Sequence, residues 1–186
     1  MNGEERRRLV AGPLPGERPA EWDERTTMRV TCAGDAPLVL ARARAVLAVV
    51  LDDEREPWPT PEGWRAALPP WFVARSSPPS LTREEHAARF QRFLRADRDG
   101  RLRDHYTRVW SVEGFLFWFH SEARQWAWWD AEVRDDATIV VTLVGRRYPW
   151  GLLEWLFRAA GAAAIHDGDG TPLWPVFAPA YRDHQG

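Results

Sequence analysis

The stretch of residues 110–161 constrains the fold of this chain more than any other, because it holds the densest apolar and aromatic content in the sequence. Within it, segments 115–120, 126–133 and 138–144 are rich in aromatic and β-branched residues and are separated by polar turns. This pattern predicts three strands of an antiparallel meander, but residues 110–121 are apolar on every side, so a helix stays open there. An amphipathic helix follows, and Gly161 is a typical signal for its end.

The remaining periodic segments complete an α+β fold. A strand is expected at 28–33, a core helix at about 37–50, a second helix at about 82–97 and a short last strand at 162–166. In chain order these elements predict a single layered domain in which the antiparallel β-meander packs against two or three helices. A ferredoxin-like arrangement is one candidate topology.

Composition divides the chain into further segments. Residues 1–26 alternate in charge with little periodicity, so we expect a flexible leader, followed by one α+β domain over 27–186. Residues 54–79 contain seven prolines, which favour an irregular insertion anchored by its aromatic side chains. We call this segment the Pro/Trp-rich belt. A turn-rich tail is expected over 168–186.

Charge and cysteine content exclude several classes of protein. A net charge of -2 on 186 residues provides no overall positive field for nucleic acid. No apolar run has the length that a membrane helix needs, so no membrane partner is expected. One cysteine and the lack of a recognisable secretory signal predict a cytoplasmic protein. The chain has 12 tryptophans, which indicate a broad aromatic core, an aromatic binding surface, or both.

The candidate binding residues come from strand alternation in segment 126–133. If the strand is regular, Ala127, Trp129, Ala131 and Val133 lie on one face and the other side chains lie on the opposite face. That second face would pair two indoles with two carboxylates. Together with aromatic residues of the belt and two basic or titratable neighbours, the candidate site residues are Trp126, Trp128, Asp130, Glu132, His120, Trp58, Trp64, Trp71 and Arg146.

No motif with a chemical mechanism is present, since the sequence has no HExxH, paired CxxC, Walker or GxSxG pattern. We therefore expect no cofactor and no metal ion, and catalysis has no positive evidence. His166, Asp167 and Asp169 offer three ligand-capable side chains, but we interpret them as an ordinary turn.

These features favour a non-catalytic bacterial cytoplasmic protein-binding module, such as an immunity or accessory protein of a conflict system. Two alternatives stay open. One is a small-ligand-binding protein or enzyme with a Trp-lined pocket. The other is a weak nucleic-acid binder that uses the arginine ridge over 89–108. The sequence specifies neither the partner nor the oligomeric state.

Overall fold

A computed structural model describes residues 3–20, 24–52, 57–76, 83–95, 110–120, 124–146 and 148–170. The predicted tail beyond 170 and the arginine ridge beyond 95 lie outside these residues. The elements in chain order are α1 (Gly3–Ala11), β1 (Arg25–Cys32), α2 (Ala36–Val50), α3 (Pro61–Ala67), α4 (Pro70–Arg75), α5 (Arg83–Arg95), α6 (Val112–Phe117), β2 (Trp126–Asp135), β3 (Thr138–Gly145), α7 (Trp150–Ala160) and β4 (Ala162–Asp167).

The four strands form one sheet in the order β2-β3-β1-β4, and every neighbouring pair is antiparallel. The expected α+β class is confirmed. Strand β3 lies between β1 and β2, and the connections run β1-α2, then β2-β3, then α7-β4. This split order is the βαββαβ connectivity of ferredoxin-like topology, with α3 to α6 inserted between α2 and β2.

The first segment of the predicted meander is a helix. Residues of α6 were expected to form a strand, but Ser111 caps the helix by accepting a hydrogen bond from the Gly114 N–H at 3.0 Å. Segment 115–120 has apolar residues on every side, and Phe115 and Phe119 are buried. Because this segment has no polar face, its sequence fits the alternation of a strand and the period of a helix equally well. The third and fourth strands of the sheet come instead from the distant β1 and β4.

The Pro/Trp-rich belt is more regular than its composition suggests. Pro61 and Pro70 each occupy the start of a short helix, where a missing N–H costs nothing because that group has no helical partner. Thr60 caps α3 by accepting from the Gly63 N–H. Trp64 and Phe72 are buried and fix the two helices to the core.

Helix α7 occupies the interior. Its residues from Leu152 to Phe157 are all buried, and it packs against α2, α4 and β4. This burial includes one carboxyl group, that of Glu154. Helix α2 is amphipathic by contrast, since its buried residues recur at helical spacing while Ala41 and Ala45 remain exposed. The core therefore lies between the sheet and a helical layer that includes α2 and α7.

Helix α1 occupies part of the segment that was expected to be a flexible leader, 1–26. Its sequence is rich in charge, but Glu5, Arg8 and Leu9 are buried. The Glu5 carboxylate accepts hydrogen bonds from the Trp128 backbone N–H at 2.6 Å and from the Arg124 guanidinium. Helix α1 thus covers the outer edge of β2. Composition alone did not predict helix α1, because charged residues occupy buried positions of this helix.

A second ionic contact ties α1 to the loop that follows it. Glu17 accepts from Arg7 at 2.6 Å, from Arg8 at 2.9 Å and from the Leu14 backbone N–H at 2.6 Å. The Leu14 N–H and the two guanidinium groups lower the pKa of Glu17 to about 2. Arg8 also lies over the Trp129 ring, 4.8 Å from its centre.

We expect Glu5→Ala to lower the free energy of unfolding by roughly 3–5 kcal/mol, because it removes the buried carboxylate that accepts from both the Arg124 guanidinium and the Trp128 N–H. Urea denaturation measures this change. The matched control is Glu4→Ala, since the side chain of Glu4 is 64% exposed and its ion pair is worth about 1 kcal/mol or less. Equal stabilities for the two variants would contradict the assigned role of Glu5.

Candidate functional site

The face assignment of β2 that the sequence predicted is wrong, because the strand contains a β-bulge. Trp128 pairs with Leu143, but the next pair along the ladder is Asp130 with Thr142, so Trp129 has no partner on β3. The extra residue reverses the alternation on its far side. Trp126 and Trp128 consequently share the core face with Ala131 and Val133.

The exposed fractions agree with this register. Trp126 is 4% exposed and Trp128 is fully buried. Glu132, on the opposite face, is exposed and forms an ion pair with Arg134 at 3.0 Å. Asp130 is half-buried and accepts a hydrogen bond from the Ala131 N–H at 2.8 Å. The predicted surface of indoles beside carboxylates therefore does not exist.

The other predicted site residues are scattered. Trp64 is buried, while Trp71 is half-buried, packs edge-on against Phe72 at 5.7 Å and lies near the Arg42 guanidinium. Arg146 is exposed at the end of β3, and its backbone N–H donates to the Gln125 carbonyl. None of these three side chains forms a common surface with Trp126 or Trp128.

Two of the predicted residues do come together, on the surface. The rings of Trp58 and His120 are 4.2 Å apart and inclined at 34°, and the ring of Trp58 lies 4.8 Å from that of the buried Trp64. Trp58 is 38% exposed. It is the exposed tryptophan among those the structure describes. Its indole thus rests on the core and presents an outer side to solvent.

Phe117 is a second exposed aromatic residue, three positions before His120, and was not predicted as a site residue. It is 59% exposed, and its carbonyl accepts a hydrogen bond from the His120 N–H, three residues further on. The Phe117 ring packs edge-on against the half-buried Trp118, with the ring centres 5.9 Å apart. We call Trp58, Phe117 and His120 the aromatic patch. A helical interpretation of 112–117 would have shown Phe117 facing away from the buried Phe115 and Leu116.

Neither a reactive thiol nor a metal-binding group of side chains occurs among the described residues. Burial, together with the charge of Asp35, raises the pKa of the Cys32 thiol to about 11, so it stays protonated and unreactive at neutral pH. Across the described ranges no three histidine, cysteine or carboxylate side chains are grouped to hold a metal ion. Asp167 instead accepts a hydrogen bond from the Asp169 N–H in a turn after β4.

The class of this protein is defined by its fold alone. No known protein family, curated protein or solved structure matches this chain. The class is an α+β domain with ferredoxin-like connectivity and an uncommonly aromatic core. Among the described helices, none combines the length and apolar content needed to cross a bilayer.

Glu154 is a buried carboxyl group on α7 that the site does not use. It is 3% exposed, and burial raises its pKa to about 8 against the opposing effect of Arg158. A folded-state pKa above the unfolded value of 4.5 means that the folded protein binds the extra proton. The stability that the folded protein gains by binding this proton is fully present below about pH 4.5 and is lost as the pH rises through about 8.

We expect Glu154→Gln to remove that pH dependence, because the amide resembles the neutral acid. The variant should be more stable than the wild type at about pH 8.5, and the difference should shrink towards about pH 5. Urea midpoints at the two pH values measure it. Glu132→Gln, at an exposed site, is the control. A stability difference that does not change with pH would contradict the buried, protonated state.

Proposed function

We propose that this protein is a non-catalytic protein-binding module of the bacterial cytoplasm, which contacts its partner through the aromatic patch. The observation that carries the proposal is the exposure of Trp58 and Phe117. They are the aromatic side chains among the large exposed apolar residues that the structure describes. Aromatic residues that stay in solvent are typical of the energetic centres of protein interfaces.

The local structure favours such a role because it holds the aromatic patch in place before binding. Pro57 and Pro59 flank Trp58 and restrict the backbone on either side of it. The buried Trp64 and the exposed His120 both contact the Trp58 ring. A side chain that is already ordered loses little conformational entropy when a partner binds, so more of its contact energy contributes to affinity.

The patch suits a partner with a shallow apolar pocket that takes in an indole and a phenyl ring. Its size and composition fit a small accessory or immunity protein of a bacterial conflict system, in which a compact module binds one protein target. Trp126 and Trp128, which the sequence predicted as binding residues, are buried in the core instead. The binding energy is therefore assigned to Trp58 and Phe117, with His120 at their border.

The alternatives have less support. A pocket lined by Trp64, Trp126 and Trp128 is disfavoured because these three side chains fill the core. In the described part of the arginine ridge, Arg92 and Arg95 are exposed on α5, and Glu84 and Glu85 are exposed on its first turn. Mixed charge of this kind is typical of a solvated helix.

A pull-down with the double variant Trp58→Ser/Phe117→Ser tests the proposal. The tagged wild type is expected to recover a specific protein from the source cells, and the double variant to bind that protein at least about tenfold more weakly, because it lacks two central aromatic contacts. Once the partner is purified, calorimetry gives the affinities. Far-ultraviolet circular dichroism checks that both proteins are folded.

The control is the double variant Val10→Ser/Leu38→Ser, which removes two exposed apolar side chains from α1 and α2. It is expected to bind like the wild type. Recovery of no specific protein, or equal binding by the folded patch variant, would contradict the proposed function.

A further inference from the structure

A polar cleft lies at the end of the sheet where β4 stops short of β1. The β1-β4 ladder ends at the pair Met28 and Asp167, so residues 25–27 of β1 extend beyond β4 while still pairing with β3 on the other side. The resulting open cleft has a volume of about 420 Å³. Its lining residues are Arg25, Thr26, Thr27, Trp150, Asp167, Gly168 and Asp169.

The turn that forms one wall of the cleft is closely packed. A Cβ atom at Gly168 would come within 2.7 Å of the Thr27 Oγ1 atom, which is closer than real Cβ atoms approach. Glycine therefore lets the turn lie directly against β1. Hydrogen bonds from the Asp169 and Gly170 N–H groups to Asp167 fix the conformation of the turn.

The cleft brings together two opposite charges that do not pair with each other. Arg25 on β1 is exposed, and so is Asp169 in the turn. Within the described part of the chain, neither side chain makes an ion pair. A guanidinium and a carboxylate that line one cleft without meeting leave room for a ligand that carries both complementary charges.

Helix α7 forms another wall of the cleft. It begins at Trp150, which lines the cleft, and its N-cap residue Pro149 provides no side-chain hydrogen bond to the first turn. The Trp150, Leu152 and Leu153 N–H groups already donate to the Tyr148 and Pro149 carbonyls, so most of the first-turn N–H groups are not available to a ligand. Within the lining, Arg25 favours a carboxylate, whereas Asp167 and Asp169 favour a cation.

We propose that this cleft binds a small zwitterion, namely a free α-amino acid. Its carboxylate would lie towards Arg25, and its ammonium group towards Asp167 and Asp169. The Thr26 and Thr27 hydroxyls and the Trp150 indole provide polar and apolar contacts for the remainder of the molecule. This site is separate from the aromatic patch and does not depend on the proposed protein partner.

The proposal is tested by isothermal calorimetry of the full chain with each standard L-amino acid, at concentrations up to about 10 mM. A Kd of about 1 mM is detectable at such concentrations. At least one amino acid is expected to bind. Its analogues lacking either the ammonium or the carboxylate are expected to bind at least about tenfold more weakly, since each loses a charge-assisted contact. An analogue that binds as well as the parent amino acid would overturn the proposal.

Variants locate the site. Arg25→Gln and Asp169→Asn are each expected to weaken binding about tenfold or more. Arg29→Gln is the matched control, because Arg29 is exposed on the same strand and the same face but does not line the cleft. Absence of binding by every amino acid, or affinities unchanged by Arg25→Gln and Asp169→Asn in folded protein, would overturn the proposal.

Discussion

The β-bulge at Trp129 is the constraint on which the rest of the structure depends. Without the extra residue, the side chains of β2 on one side of it would point to the wrong layer. With it, Trp128 lies opposite Leu143 and Ala131 opposite Val141, all on the core face. The bulge also occurs at an edge strand, where the Trp128 N–H would lack a partner if Glu5 of α1 did not accept its hydrogen bond.

The aromatic core follows from that placement. Rings of Phe72, Phe115, Phe119 and Trp126 contact one another in sequence at 4.9, 5.1 and 5.6 Å, and so connect α4 and α6 to β2. The Arg124 guanidinium lies 4.6 Å from the centre of the Trp126 ring and is neutralised by Glu5. Most of the tryptophan content is thereby explained by packing. Trp58 and Phe117 are left over as aromatic surface.

Sequence patterns predicted those parts of the fold in which one physical signal dominates. The helical spacing of α2, the Gly161 stop after α7 and the β-branched run of β3 all indicated the correct element. The class of fold followed from their order. The strand predicted at 115–120 was wrong because apolar residues surround the helix there, so neither the strand period nor the helix period is visible in the sequence. Helix α1 was not predicted because it buries charged side chains, which are normally expected to be exposed to solvent.

The candidate site was less predictable than the fold. A bulge has no reliable sequence signature, although adjacent Trp128 and Trp129 already suggested that strict alternation would put one bulky indole on the outer face. Trp58 and His120 were candidates for separate reasons, and only the tertiary structure stacks them. The polar cleft depends on where β4 ends relative to β1, which no local pattern of residues specifies.

Cross-strand nuclear Overhauser contacts between β2 and β3 test the register most directly. The bulged register predicts contacts of Trp128 with Leu143, of Ala131 with Val141 and of Val133 with Ile139. A regular strand that kept the Trp128 pairing would instead place Ala131 opposite Val140. Observation of that second set would contradict the account, because it would return Trp128 and Asp130 to one face of the sheet.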